Sequence, residues 1–271
     1  MTIAFLGGGN MAGALIGGLL AKGYSADAIS AVEIIAAARE SMSARYGIHV
    51  SAAADERTLA ADTIVLAVKP QDMRSAVAAL AGKLQGQLVI SIAAGIRLED
   101  LSRWLGGYQK LVRVMPNTPA LIGAGIAGLY AGPEVGADER TRAETILNAV
   151  GKTVWVKDEA LIDPVTAVSG SGPAYVFYFI ESLEKAGIAL GLEPAAALTL
   201  AIETFVGAAR LAAESAEPPG TLRERVTSKG GTTEAAIKVF SEEDVAGRIG
   251  RALQAASDRG AELGHLLGKD T

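Results

Sequence analysis

Two glycine-rich segments, about 220 residues apart, could each hold an anion on backbone N–H groups. The first follows a short apolar run and consists of Gly7, Gly8, Gly9, Asn10 and Met11. The second precedes a helical pattern and consists of Gly230, Gly231, Thr232 and Thr233. A helix N-terminus offers free N–H groups and the positive end of its dipole to a negative ligand. The first segment suits a dinucleotide pyrophosphate and the second a small carboxylate, so together they predict an oxidoreductase.

The first segment has the spacing of a dinucleotide-binding turn. Gly7 permits the tight turn, Gly9 lets the backbone approach the pyrophosphate, and Ala12 allows close packing of helix on strand. Glu33 lies 21 residues beyond Ala12, where an acid accepts from the ribose 2′-OH and repels a 2′-phosphate. That favours NADH, whereas Arg39 offers a phosphate partner and keeps NADPH open. A glycine-rich turn without any ligand is the alternative.

A second group of residues is expected on the nicotinamide-ribose side of the same site. It ends the fourth predicted strand and consists of Ala67, Val68, Lys69 and Pro70. Loops at the carboxyl ends of parallel strands border the ligand crevice of such sheets. Pro70 has a plainer explanation as well, because proline terminates a strand.

Side chains suited to catalysis are scarce in this chain. The two histidines, His49 and His265, have no evident carboxylate partner nearby in sequence, there is no cysteine, and no spacing suggests a metal site. Reducing a ketone requires a proton donor, whereas a protonated imine already attracts hydride and needs only a hydroxyl or water. Two glycine-spaced segments rich in hydroxyl groups, 165–173 and 226–233, fit the second chemistry. Helix capping by Ser and Thr is the alternative.

The elements that must position these residues change character halfway along the chain. Short apolar runs at 2–6, 29–33, 48–50, 63–68, 88–92, 110–115, 125–130 and 153–156 alternate with helical stretches such as 36–46, 71–84 and 98–105. This pattern predicts a parallel sheet covered on both faces, with later strands partly antiparallel at one edge. Long helices follow, the last of them capped by Ser241 and Asp244. We predict an α/β fold with a Rossmann-type dinucleotide-binding domain at 1–157 and an all-helical substrate and dimerisation domain at 158–271.

The composition indicates which classes of partner the chain can bind. A net charge of −5 over 271 residues, with no basic block, argues against nucleic acid, and the absence of cysteine suits a reducing cytoplasm. The apolar stretch 3–21 contains six glycines and an asparagine, so a buried strand, turn and helix explain it better than a membrane span. Two helical segments, 174–188 and 194–213, are apolar around most of their circumference. A second subunit is expected to cover them, which predicts an obligate homodimer.

In these motifs the chain resembles the pyrroline-5-carboxylate reductases, the last enzymes of proline biosynthesis. The matching blocks occur in order along nearly the whole chain: Phe5-Leu6-Gly7-Gly8-Gly9-Asn10-Met11, Ala67-Val68-Lys69-Pro70, Ser91-Ile92-Ala93-Ala94-Gly95, Arg113-Val114-Met115-Pro116-Asn117-Thr118-Pro119-Ala120, Ser169-Gly170-Ser171-Gly172-Pro173-Ala174-Tyr175 and Pro219-Gly220-Thr221-Leu222. The resemblance implies reduction of L-1-pyrroline-5-carboxylate to L-proline with NADPH or NADH. It also implies dimers with interlocked helical domains, which often assemble into decamers.

The resemblance assigns roles to particular residues. Thr166 is expected to supply a hydroxyl near the imine nitrogen and is the best candidate for proton delivery. The substrate carboxylate is expected on Ser228, Gly230, Gly231, Thr232 and Thr233, and the nicotinamide pocket on Met115, Pro116 and Asn117. Two positions depart from the family: Lys229 replaces a frequent proline, and Glu33 stands where NADPH-preferring members carry small polar or basic residues. A reductase of another small imine and a non-catalytic dinucleotide sensor are the alternative functions.

Overall fold

A twisted sheet of eight strands forms the first half of the chain in a computed structural model that describes residues 1–269. The strands are β1 (Ile3–Leu6), β2 (Ile29–Val32), β3 (His49–Ser51), β4 (Thr63–Leu66), β5 (Leu88–Ser91), β6 (Leu111–Met115), β7 (Gly125–Ala131) and β8 (Gly151–Trp155). Their order is β3-β2-β1-β4-β5-β6-β7-β8. The first six run parallel, β7 is antiparallel to β6, and β8 is parallel to β7. The predicted parallel sheet with a partly antiparallel edge is therefore confirmed.

Apolar side chains cover both faces of this sheet. Successive residues of one strand belong to different clusters, so that Phe5 packs on one face of β1 and Leu6 on the other. The same alternation places Val65 and Leu66 of β4 on opposite faces. Burial on both faces explains why the central strands read as continuous apolar runs in the sequence.

Helices connect the strands and make up the second half of the chain. They are α1 (Asn10–Ala21), α2 (Ala36–Tyr46), α3 (Glu56–Ala60), α4 (Met73–Ala78), α5 (Leu98–Trp104), α6 (Ala137–Leu147), α7 (Ile162–Val165), α8 (Gly172–Ala189), α9 (Pro194–Glu214), α10 (Pro219–Arg225), α11 (Thr232–Glu242) and α12 (Val245–Leu267). The helical stretch expected at 71–84 is shorter than predicted. It consists of a 3₁₀ turn at Pro70–Asp72 followed by α4.

The structure contradicts part of the cap predicted for the start of α12. Ser241 lies within α11, where its hydroxyl donates to the carbonyl of Ile237 at 3.0 Å. Asp244 alone precedes α12; its φ is 52°, and its Oδ1 accepts from the N–H of Gly247 at 3.2 Å. Ser241 therefore does not cap the last helix, because α11 continues through it.

The chain divides into two compact units. One contains residues 1–171 together with the C-terminal segment from Ala255, and the other contains residues 172–254. Within the first unit the end of α12 packs near Gly95, where an added Cβ would lie 3.1 Å from Leu267 Cδ1. Arg103 Nη2 also donates to the carbonyl of Gly268 at 2.6 Å. The functional boundary at 157/158 stays a prediction.

The second unit presents much apolar surface. Phe177 and Tyr178 of α8 are 66% and 67% exposed, and Leu211 of α9 is 58% exposed. By length and composition α9 is also the one helix among residues 1–269 that is apolar enough to cross a membrane, although such a test is also passed by helices packed in soluble proteins. An exposed apolar surface of this kind is typical of an interaction face.

Candidate active site

The turn between β1 and α1 passes directly over the end of β4. The φ angle of Gly7 is 99°, and its N–H donates to the carbonyl of Val32 at 2.8 Å. A Cβ on Gly7 would lie 2.7 Å from the carbonyl oxygen of Ala67 and 2.9 Å from the nitrogen of Val68. Only glycine satisfies both the conformation and the space, so Gly7 creates the tight turn expected from the sequence.

Gly9 has a different environment from Gly7. It is the N-cap of α1 with an ordinary φ of −68°, and a Cβ there would meet nothing within 4 Å. No side chain caps α1 within the part of the chain that the structure describes. The first N–H groups of a twelve-residue helix therefore face open space beside a glycine, a cradle that fits a dinucleotide pyrophosphate. Asn10 and Met11 begin this helix.

The side chain of Glu33 contacts the glycine loop. Its Oε2 accepts from the N–H of Gly8 at 3.0 Å, and its Oε1 accepts from the N–H of Ile35 at 2.9 Å. A Cβ on Gly8 would lie 3.0 Å from that Oε2 and would collide with Met42 Sδ. The structure thus places this carboxylate against the glycine loop, and its contact with the adenosine ribose stays a prediction.

The residues after β4 lie along the same edge of the sheet. The N–H of Ala67 donates to the carbonyl of Leu6 at 2.7 Å, which ties the end of β4 to the start of the glycine loop. Val68 follows beside Gly7, Lys69 is exposed, and Pro70 begins a 3₁₀ turn. The structure therefore brings Ala67 and Val68 against the glycine loop, and Lys69 and Pro70 follow directly after them.

The hydroxyl segment expected as a loop at 165–173 is a π-helical turn followed by α8. The turn spans Thr166–Gly170 and directly continues α7. Thr166 Oγ1 donates to the carbonyl of Ile162 at 2.7 Å, and the N–H of Ser171 donates to the carbonyl of Thr166 at 2.8 Å. The loop prediction was wrong because helical hydrogen bonding continues through the glycines. Single π turns inside α-helices often occur at functional sites.

Met115 at the end of β6 contacts this π turn. A Cβ on Gly170 would lie 2.5 Å from Met115 Cε and 3.5 Å from Thr166 Cγ2. The predicted nicotinamide wall and the predicted proton-delivering residue are therefore neighbours. Pro116 and Asn117 are buried next to them, and Asn117 Oδ1 accepts from the N–H of Ile126 at 3.0 Å. Asn117 thus holds the start of β7 and presents little surface to a ligand.

A buried ion-pair network, which no sequence motif predicted, supports the π turn. Arg113 of β6 is 3% exposed; its Nη1 lies 3.1 Å from Glu159 Oε1 and its Nη2 lies 3.4 Å from Asp163 Oδ1. Glu159 Oε1 also accepts from the N–H of Leu98 at 2.8 Å. Since Asp163 belongs to α7, Arg113 fixes the helix that leads into Thr166. The signal in the sequence was one arginine within an otherwise apolar strand.

The second anion cradle lies in the helical unit at the start of α11. Gly230 has a φ of 74°, and the N–H of Gly231, the N-cap, donates to the carbonyl of Ser228 at 3.0 Å. Thr232 and Thr233 begin the helix, and among the described residues no side chain caps it. The segment is open to solvent, and Glu234 Oε2 accepts from the N–H of Gly230 at 2.7 Å.

One histidine has a carboxylate partner, contrary to expectation. His49 Nε2 lies 2.8 Å from Asp55 Oδ2 because a turn brings the residue after β3 back to the strand. Burial raises the pKa of Asp55, but hydrogen bonds from the Thr58 N–H and from His49 outweigh it and lower that pKa to about 2. Asp55 also forms a capping box at α3, so the pair stabilises local structure at the sheet edge.

Residues 1–269 contain no group of three acidic or histidine side chains that could hold a metal.

Comparison with known proteins agrees with a nucleotide-binding sheet followed by a helical segment. A family model described as "pyrroline-5-carboxylate reductase dimerisation" matches residues 159–263, and one described as "NADP oxidoreductase coenzyme F420-dependent" matches residues 2–95. The chain is 47% identical to the pyrroline-5-carboxylate reductase of Pseudomonas aeruginosa, with 98% of each chain covered. It is 35% identical to that of Arabidopsis thaliana, with 96% of this chain and 95% of the relative covered.

Solved structures show the same similarity in three dimensions. A pyrroline-5-carboxylate reductase from Coxiella burnetii superposes with a TM-score of 0.92 at 39% identity. A pyrroline carboxylate reductase from Plasmodium falciparum, solved with NADP bound, superposes with a TM-score of 0.85 at 28% identity. Each comparison covers 97% of this chain and 98% of the other.

Proposed function

Because the chain belongs to the pyrroline-5-carboxylate reductase family, we propose a mechanism in which its own residues carry out that family's reaction. The enzyme reduces L-1-pyrroline-5-carboxylate to L-proline, the last step of proline biosynthesis, with NADPH or NADH as the hydride donor. The observation that carries this function is the open, uncapped glycine loop at α1 in a chain that matches reductases over 98% of its length.

The cofactor is assigned to the edge of the sheet where β1 and β4 end. The N–H groups at the start of α1 hold its pyrophosphate, and Gly9 leaves room for the backbone to approach it. Glu33 lies on the adenosine side, whereas Lys69, Pro70 and Met115 lie on the nicotinamide side. The bound nicotinamide supplies the hydride. The full set assigned to the cofactor is Gly7, Gly8, Gly9, Asn10, Met11, Glu33, Ala67, Val68, Lys69, Pro70, Met115, Pro116 and Asn117.

The substrate carboxylate is assigned to the start of α11. Its two oxygens are assigned to the first N–H groups of α11, those of Thr232 and Thr233, with the hydroxyl of Ser228 as a further donor. Gly230 and Gly231 shape the turn of this site, since their own N–H groups donate to Glu234 Oε2 and to the carbonyl of Ser228. Lys229 adds a positive charge next to this segment and strengthens the attraction for an anion. The ammonium is exposed, so its effect on affinity is expected to fall with added salt.

Thr166 is assigned to the imine nitrogen. Its hydroxyl proton points to the carbonyl of Ile162, so the oxygen presents lone pairs on its other side. In that state Thr166 accepts a hydrogen bond from the N–H of the protonated imine and orients it. When the hydroxyl rotates away from Ile162, it donates to an unprotonated nitrogen. Arg113 keeps this segment in place through Asp163.

The protein is a homo-oligomer that acts on a small-molecule substrate. We assign the dimer contact to the exposed apolar faces of α8 and α9 and propose that dimers assemble further into a decamer. The proposed location is the cytoplasm, without a membrane or nucleic-acid partner.

The function is tested by following loss of reduced-nicotinamide absorbance with pyrroline-5-carboxylate and either cofactor. Thr166→Ala is expected to lower kcat with little change in cofactor affinity, and Thr233→Ala to raise mainly the substrate KM. Thr141→Ala is the matched control, because Thr141 makes the same hydroxyl bond to a carbonyl four residues earlier but lies exposed on α6. Wild-type kinetics in both site variants would refute the residue assignments. Activity confined to open-chain imines would refute the substrate.

A further inference from the structure

We propose that Glu33 makes this enzyme prefer NADH over NADPH by fixing a carboxylate where the 2′-phosphate of NADPH has to bind. The inference rests on the cofactor site proposed above. Glu33 directly follows β2, and the carboxyl end of that strand is where the adenosine ribose lies in a sheet of this topology.

Both oxygens of this carboxylate are anchored by backbone groups. Oε2 accepts from the N–H of Gly8 in the cofactor loop, and Oε1 accepts from the N–H of Ile35 after β2. The two bonds, 3.0 and 2.9 Å long, join the glycine loop to the β2–α2 connection. A carboxylate held at both oxygens cannot swing away from an incoming phosphate without leaving two N–H groups unpaired.

The space around the carboxylate is also filled. An added Cβ on Gly8 would collide with Met42 Sδ and approach Glu33 Oε2 to 3.0 Å. Glycine at position 8 therefore leaves just enough room for the glutamate beneath the loop. Each carboxylate oxygen still has a lone pair available, because the pair can accept about four hydrogen bonds and two are used. Ribose hydroxyl groups can take these positions, whereas a phosphate offers no proton to donate when it is fully ionised.

The cation nearest in sequence is held against the backbone through one of its three nitrogens. Arg39 Nη1 donates to the carbonyl of Glu33 at 2.9 Å and to the carbonyl of Ile34 at 2.8 Å, and the side chain is half-buried. It thereby holds the backbone that carries the glutamate. The other basic residue of α2, Arg45, lies over the ring of Tyr46 at 5.1 Å. These bonds do not use Nη2 and Nε of Arg39, but a 2′-phosphate that bound them would still approach the fixed negative charge of Glu33.

The test measures binding as well as turnover. Isothermal titration with NAD⁺ and NADP⁺ gives two Kd values without any reaction, and initial rates with NADH and NADPH give two values of kcat/KM. We expect NAD⁺ to bind about 30-fold more tightly than NADP⁺, since like charges at close range near a protein surface repel strongly. The same preference is expected in kcat/KM.

Two variants assign the preference to the carboxylate. Glu33→Gln removes the charge while keeping the shape, and it is expected to reduce the preference by about tenfold or more, chiefly through tighter NADP⁺ binding. Glu40→Gln is the control, since Glu40 is an exposed glutamate on α2. It is expected to leave the ratio unchanged.

Two results would overturn the inference: NADP⁺ binding as tightly as NAD⁺ to the wild-type protein, or Glu33→Gln weakening both dinucleotides equally. The second result would mean that Glu33 only supports the loop. Absence of turnover with either reduced cofactor would instead contradict the reductase function. The ratio of the two Kd values would still decide the role of Glu33 in that case.

Discussion

Alanine substitutions at Gly7 and Gly9 should separate what the fold requires from what the cofactor requires. At Gly7, the new Cβ would lie 2.7 Å from the backbone oxygen of Ala67, directly after β4, and the φ of 99° is strained for alanine. Backbone strain of this kind costs about 1–3 kcal/mol, and overpacking against backbone costs about as much again. Gly7→Ala should therefore lose about 2–5 kcal/mol of unfolding free energy, which corresponds to a Tm lower by roughly 5–15 °C.

At Gly9, the same methyl group has a different consequence. Its φ of −68° suits alanine, and the Cβ would meet no atom of the protein within 4 Å. Gly9→Ala should leave the Tm within about 1 °C of the wild type, since substitutions free of packing or strain change stability little. It should weaken NAD⁺ binding by about 10- to 100-fold, because the methyl group blocks a hydrogen bond between the backbone and a charged phosphate.

Thermal denaturation and isothermal titration of both variants provide the two readouts. We expect Gly7→Ala to change both the Tm and the Kd, and Gly9→Ala to change only the Kd. Unchanged cofactor affinity in a folded Gly9→Ala protein would show that the pyrophosphate does not approach this glycine. A lowered Tm in Gly9→Ala would show that the open side of the loop is packed in the assembled protein.

Three further predictions concern stability and assembly. Arg113→Met should lower the unfolding free energy in urea by about 3–5 kcal/mol, because it leaves Glu159 and Asp163 without their buried cation; an unchanged midpoint would contradict this. Folding lowers the pKa of Asp55 from 3.8 to about 2. The stability that the ionised carboxylate contributes is therefore present above pH 3.8 and is lost as the pH falls towards 2. The Tm deficit of Asp55→Asn should accordingly be largest near pH 5 and narrow over that window in thermal melts. Phe177→Asp, at a position 66% exposed in α8, should dissociate the oligomer in light scattering, whereas an unchanged mass would place the interface elsewhere.

The strands were predictable because most of them are short, largely apolar runs that pair with their neighbours over nearly their full length. Predicted and observed bounds differ by two residues or fewer, and Ile29, Thr63, Leu88 and Gly125 begin strands where expected. The antiparallel edge was also foreseen, from the short connection before β7. Parallel neighbours need a long crossover, whereas the segment between Met115 and Gly125 is too short for one.

The details that escaped prediction depend on contacts distant in sequence or on local geometry that composition does not encode. Arg113 and Glu159 are 46 positions apart in the sequence, so no residue near Arg113 in the chain indicates a buried ion pair. The π turn at Thr166 contains glycine and serine, which commonly mark loops, yet the flanking helices carry the hydrogen bonding through it. The glycine loop was predictable in position and in the proximity of Glu33. The hydrogen bond from the N–H of Gly8 to the Glu33 carboxylate could be seen only in the structure.

The return of α12 to the first unit has a consequence for synthesis on the ribosome. Leu267 and the carbonyl of Gly268 contact Gly95 and Arg103, so the unit that begins at residue 1 gains its last contacts from residues near 268. N-terminal domains generally fold first as they leave the ribosome. Here the nascent first unit has to wait, with the surface around Gly95 uncovered, until the helical segment has been translated.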